Sequence, residues 1–226
     1  MIDRLLSTIA PHTCCSCGQD FGILCENCIS DIVEEPFALC VSCLKPSGQT
    51  NICRGCTTKW GVHGAWVVGE RRGALRGLLD RYKFDRVKAA VPVISRILAE
   101  LVPQLPAGTC VTYIPDIPFH RRQRGYDHMK LIAESFAARR QMSMGPPLVR
   151  QTNVSQRQLP RKERLKAQNG AFRVEGVMQS PVILIDDICT TGSTLRAGIA
   201  ALQEADAPGI FIAIIARQPL DSHGDL

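Results

Sequence analysis

The chain has little with which to enter a membrane or to line a stacking surface. Its 226 residues contain no apolar run approaching the roughly 20 residues of a spanning helix. Aromatic residues make up only 5% of the chain, too few for an obvious stripe on which successive bases could stack. A secretion signal is also missing. Ile2–Ala10 is too short for one, carries Asp3 beside Arg4 and runs directly into cysteines. No Gly-Lys-Ser/Thr occurs at a strand-to-helix turn, which disfavours a Walker-type nucleotide loop. A protein without membrane insertion, located in the cytoplasm, is the expectation.

Cysteine, by contrast, is abundant and clustered. Nine of the 11 cysteines lie within residues 14–56, as Cys14-x-x-Cys17, Cys25-x-x-Cys28, Cys40-x-x-Cys43 and Cys53-x-x-Cys56, with Cys15 left over. Two residues between thiolates let a tight turn aim both sulfurs at one tetrahedral metal. Four such pairs supply ligands for two closed Cys₄ zinc sites, which are structural because no coordination position remains open. A disulfide scaffold is the competing reading, but it requires an oxidising compartment. Neighbouring pairs give Cys14/Cys17/Cys25/Cys28 and Cys40/Cys43/Cys53/Cys56; interleaved pairing satisfies the same spacing. Residues 1–60 therefore form a double zinc module, and residues 61–226 the main domain.

Charge is unevenly spread. The net charge is +6, yet residues 61–180 hold 21 basic and 9 acidic side chains. Such a stretch attracts a polyanion, whether a pyrophosphate group or a nucleic acid, although a charge run is more often a solvated face.

The stretch VILIDDICTTGST, residues 182–194, carries the most specific chemistry. Val182–Ile185 reads as a buried parallel strand, with Asp186 and Asp187 where that strand runs out. Thr190, Thr191, Gly192, Ser193 and Thr194 then lead into a helical pattern, Leu195–Glu204. A hydroxyl-rich turn at a helix start offers N–H groups, hydroxyls and the positive dipole end to a phosphate. Gly192 would let the backbone approach that phosphate closely. Carboxylates at a strand end accept hydrogen bonds from vicinal hydroxyls. The ligand implied has a phosphate at one end and sugar hydroxyls nearby.

Elsewhere, Ala65–Gly69 reads as a strand, and Leu75, Leu78, Leu79 and Tyr82 recur at helical spacing. Val91–Leu101 is a second helix, and Cys110–Ile114 a short strand. A polar loop and a helix over Met129–Ala138 follow, then strands at Ala171–Val174 and Ile210–Ala216. Strands alternating with helices predict an α/β fold with a mostly parallel sheet covered on both faces. His120 and His128 read as structural or surface residues.

The stretch 182–194 resembles the phosphoribosyl pyrophosphate (PRPP) motif of type I phosphoribosyltransferases. That resemblance assigns Asp186 and Asp187 to the ribose hydroxyls and Thr190 to Thr194 to the 5′-phosphate. It also makes YIPDIPFHRRQRGYDHM, residues 113–129, the pyrophosphate loop, with at least one of Arg121, Arg122 and Arg124 as a contact. Residues 155–174, with Arg157, Arg161, Lys162, Arg164 and Lys166, take the place of a lid closing over PRPP. With the four cysteine pairs and RYKFDR (81–86), these segments resemble the ComF/GntX family: a double zinc ribbon followed by a type I phosphoribosyltransferase-like domain. The family implies Mg²⁺-dependent phosphoribosyl transfer from PRPP, a glycosyltransferase reaction, in a competence and DNA-uptake context. PRPP and either single-stranded DNA or the competence machinery are the partners the resemblance implies. Purine-salvage relatives carry a carboxylate where Thr190 stands, so hypoxanthine and guanine are not predicted as acceptors. Asp127 stands where many family members have Asn and should still cap the following helix. Nothing in the sequence identifies a general base. The alternative is a single-stranded nucleic-acid-binding or adaptor protein whose PRPP site is a sensor or a vestige.

Overall fold

Four short, largely apolar runs become the buried strands of one parallel sheet. The computed structural model describes residues 13–20, 22–151 and 171–219. Strands β1 (Gly64–Glu70), β2 (Cys110–Tyr113), β5 (Val182–Cys189) and β6 (Ile210–Arg217) form a four-stranded sheet in the order β1-β6-β5-β2, every neighbouring pair parallel. β5 and β6 are buried almost throughout, as expected of strands covered on both faces.

Alternation along the strands builds two cores. Trp66, Val68, Ile183, Ile185, Ala213 and Ile215 face helices α3 (Gly73–Lys83), α4 (Ala90–Leu101) and α6 (His128–Arg140). Ala65, Val67, Val182, Leu184, Ile212 and Ile214 face helix α7 (Ser193–Glu204). The cysteine-rich segment contributes to both. Ile23, Leu24, Ile29 and Ile32, around helix α1 (Glu26–Glu34), join the first core. Phe37, Val41, Ile52 and Trp60, the last at the end of helix α2 (Arg54–Trp60), join the second. Each half of that segment is thus seated on a different face of the sheet.

Two features differ from the sequence expectation. The strand expected at 171–174 is β4 (Phe172–Val174), which does not enter the main sheet. It pairs antiparallel with a strand the sequence reading missed, β3 (Leu148–Arg150). The polar loop before α6 contains a short helix, α5 (Pro118–Arg124), with Pro118 in its first turn and Gly125 left-handed at its end. That proline–glycine punctuation was present in the sequence, but with no buried residue the helix has no apolar stripe to reveal it. Asp127 caps α6, accepting from the backbone N–H of Met129 and Lys130. Among the described residues, no helix is long and apolar enough to cross a membrane.

Candidate functional site

The crevice opens where β2 stops and β5 continues. β2 pairs with β5 as far as Tyr113 opposite Ile185, after which Ile114 donates to the Ile185 carbonyl at 3.0 Å. Pro115 has no N–H with which to extend the ladder, so the chain turns away. β5 runs on beside β6 to Cys189. Asp186 and Asp187 therefore lie inside β5 rather than beyond its end, with one edge open. Crevices at the carboxyl ends of parallel strands are where α/β sheets bind ligands. A cavity of about 320 Å³ occupies this one, lined by Asp186, Asp187, Thr194, Lys83, Arg150 and His120 among others.

Alternation sends the two carboxylates to opposite faces, and they meet different surroundings. On the α3/α6 side, Lys83 Nζ and His128 Nε2 each lie 2.5 Å from Asp187 Oδ2. His128 Nδ1 lies 3.0 Å from Asp116 Oδ2, which Arg124 also reaches at 2.6 Å. Both nitrogens of the His128 ring face carboxylates, and only an imidazolium can donate to both. Burial opposes that charge, but the hydrogen bonds to Asp116 and Asp187 outweigh it and raise the His128 pKa. Burial likewise pushes Asp187 upward, yet the His128 hydrogen bond and the Lys83 ammonium bring it well below the usual carboxylate range. Asp186 is raised instead, by its burial and then by the Asp187 charge. Arg150 stands on its side, donating to the Pro115 carbonyl at 3.1 Å with its guanidinium over the Phe172 ring.

The turn after β5 leads directly into α7. Gly192 has φ +74° and, as the N-cap of α7, offers no side chain to the first-turn N–H groups, which a helix start leaves without intrahelical partners. Thr190, Thr191 and Thr194 are exposed. The Thr191 hydroxyl lies 3.0 Å from that of Ser193 and accepts from the Ser193 N–H. Thr194 lines the cavity. A Cβ on Gly192 would come within 3.2 Å of the Trp60 ring, a tight contact. That side of the glycine therefore packs against the cysteine-rich segment.

The basic loop divides. Arg124 reaches the cavity but is paired with Asp116, and its Nε donates to the Lys83 carbonyl. Arg121 and Arg122 are exposed on α5 and are not among the cavity-lining residues. Arg157, Arg161, Lys162, Arg164 and Lys166, expected in a lid, lie outside the described residues. Lys83, Asp116, His128 and Arg150 were not singled out from sequence as site residues. Lys83 sits within RYKFDR and Asp116 within YIPDIP, so the motifs were visible, but the convergence of their side chains was not.

The cysteines group as neighbouring pairs, Cys14/Cys17/Cys25/Cys28 and Cys40/Cys43/Cys53/Cys56, with the sulfurs of each set within 4.8 Å of one another. Cys17 and Cys25 sulfurs are 3.6 Å apart, and those of Cys43 and Cys53 3.7 Å. Four thiolates about 2.3 Å from a central ion lie about 3.8 Å apart in a tetrahedron, so both donor sets fit such a metal. Burial would raise the Cys14 thiol, but N–H groups of Cys17 and Cys25 bring it down to about 6. In the same way, N–H groups of Cys53 and Cys43 bring Cys40 down to about 7.

Fold and site together define the class: an α/β domain with a parallel sheet and a carboxylate-lined crevice at the strand ends, preceded by two four-cysteine clusters able to hold a tetrahedral metal. The chain resembles the ComF/GntX family, and it is 26% identical over 197 residues to Competence protein ComFC of Streptococcus pneumoniae (strain ATCC BAA-255 / R6), covering 85% of this chain and 86% of that one. No protein-family profile matches it. Among solved structures, adenine phosphoribosyltransferase from Leishmania donovani aligns with a TM-score of 0.38 at 11% identity, over 71% of this chain and 90% of that one.

Proposed function

We propose that this protein binds PRPP with Mg²⁺ in the crevice beside β5 and transfers its phosphoribosyl group to an acceptor, in a competence context. The observation that carries the reading is one cavity lined by both carboxylates and by Thr194 in the first turn of α7. Asp187, ionised and steadied by Lys83 and His128, accepts from a ribose hydroxyl, and Asp186 from its neighbour. The turn from Thr190 to Thr194 holds the 5′-phosphate, and the loop bearing Arg121, Arg122 and Arg124 faces the pyrophosphate. In the transfer, the bond from C1′ to the pyrophosphate oxygen breaks and its electron pair leaves with pyrophosphate. A lone pair of the acceptor forms the new bond to C1′, and the acceptor gives up a proton. Mg²⁺ supplies charge neutralisation of the leaving group. Residues 1–60 bind two zinc ions and brace the domain formed by residues 61–226.

Calorimetric titration with PRPP and Mg²⁺ tests this. Binding should be strong in the unmodified protein and at least 100-fold weaker in the Asp186→Asn/Asp187→Asn double variant, because the ionised Asp187 acceptor, worth roughly 1.5–3 kcal/mol, is lost together with the weaker Asp186 acceptor. Undiminished affinity in the folded double variant would remove the reading.

A second reading has its own observation. Phe84 is 67% exposed at the cavity, and Phe119 is 59% exposed on α5 beside the exposed Arg121 and Arg122. Exposed rings next to arginines suit a nucleic-acid single strand. Such binding should weaken steeply with salt, by about 0.7 log units per log unit for each phosphate neutralised, and should survive the double Asp→Asn variant. A flat salt response would count against it.

A further inference from the structure

Trp60 runs along α7 as a brace. Its ring lies against Gly192 at the start of that helix, with a Cβ there only 3.2 Å from the ring. Its carbonyl accepts from Gln203 Nε2 at 3.0 Å near the helix's other end. Arg196 lies over the same ring, 5.9 Å from its centre, and donates to the Thr191 carbonyl at 3.2 Å. The turn is thereby held at two points, its glycine against the indole and its Thr191 carbonyl through an arginine resting on the indole. Trp60 is 5% exposed, so the brace is packed.

The order of Trp60 itself comes from the second cysteine cluster. Helix α2 has only seven residues, and helices that short do not hold in water by themselves. Cys53 precedes its first turn as the cap position, and Cys56 lies within it; both belong to the second cluster. Trp60 follows Cys56 by four residues and so lies on the same helix face. The first cluster is seated on the opposite face of the sheet, where Cys14, Cys25 and Cys28 pack with Leu75 and Leu78 of α3. Gly77 of that helix leaves room for the Cys15 carbonyl, which a Cβ would meet at 2.9 Å.

We infer that Trp60 is a positioning residue for the phosphate turn, transmitting the order of the second cysteine cluster, and not of the first, to residues 190–194. The inference rests on the reading of that turn as the 5′-phosphate site. Its consequence is selective: loss of the brace loosens the phosphate end of the crevice and leaves the pyrophosphate end alone.

The experiment compares Trp60→Ala, Trp60→Phe, Cys43→Ser and Cys17→Ser in the full chain. The two cysteines are the exposed members of their clusters, chosen to disturb the cores least. Calorimetry measures ribose 5-phosphate and pyrophosphate, and hydrogen exchange follows the amides of the turn. Trp60→Ala and Cys43→Ser should weaken ribose 5-phosphate at least fivefold and change pyrophosphate less than twofold. Trp60→Phe, which keeps an aromatic face for Arg196, should fall between them and the unmodified protein. Cys17→Ser should leave ribose 5-phosphate unchanged. Amides of residues 191–195 should exchange at least tenfold faster in Trp60→Ala, with those of β5 unaltered. Unchanged exchange in the turn, or an equal loss of both ligands, would overturn the inference. If the unmodified protein binds no ribose 5-phosphate, the phosphate reading fails, and the exchange data still decide whether Trp60 and the second cluster order the turn.

Discussion

The two cysteine clusters share a ligand set and the Cys-x-x-Cys spacing of each pair, yet each sits under a different half of the crevice. The first is seated beside α3, the helix that ends at Lys83, and an Arg96–Glu26 pair with contacts of 2.9 and 2.6 Å ties α1 to α4. The second is seated beside α7 through Trp60. The carboxylates divide in the same way. Asp187 faces the first side, where His128 and Lys83 keep it ionised; Asp186 faces the second, where burial raises it. Identical adjacent residues acquire opposite protonation tendencies because one has two cationic partners within hydrogen-bond reach and the other does not.

Metal withdrawal is the strongest way to test whether both faces depend on their clusters. Metal analysis should find about two zinc ions per chain, and each structural site contributes on the order of 10 kcal/mol. Because both cores run across residue 60, chelation should lower the thermal midpoint of the whole chain, followed by near-ultraviolet circular dichroism. A chelated protein that melts as before would break the comparison at its root.

Single substitutions sharpen it next. Asp187→Asn should weaken PRPP about 100-fold, since it removes an ionised acceptor and leaves the Lys83 charge in the cavity without its partner. Asp186→Asn should cost about tenfold, because a carboxyl already biased toward its neutral form loses less on amidation. Equal losses in a PRPP titration would mean that the two faces do not differ in charge.

Titration of His128 gives a smaller effect with a definite sign. Its folded-state pKa is raised, so its contribution is fully present below its ordinary value near 6.5 and is lost as pH rises through the folded value. Thermal midpoints should therefore fall over that window in the unmodified protein. In His128→Gln the decline should flatten; an unaltered pH profile would remove the imidazolium from the network.

The smallest effect belongs to the exposed arginines. Arg121→Ala with Arg122→Ala should reduce pyrophosphate affinity no more than threefold and leave the thermal midpoint unchanged, as expected of solvated side chains. Arg124→Ala should instead lower the midpoint, because it strips the buried Asp116 of a cation 2.6 Å away. If all three behave alike, Arg124 is not part of the internal network.

What the sequence determined by itself was local. Period-two and continuous apolar runs set β1, β5 and β6; cysteine spacing set the knuckles; Asp127 set the start of α6. Each depends on neighbours a few residues apart, whose geometry the backbone dictates. Tertiary structure alone decided the rest. The crossovers of a parallel sheet bring residues 83, 116, 128 and 187 together, and no periodicity relates those positions. Strand β3, three residues long, was too short to show a pattern and exists by pairing with β4. Neighbouring and interleaved cysteine pairings have the same spacings, and only the packing of each knuckle against its own face of the sheet separates them.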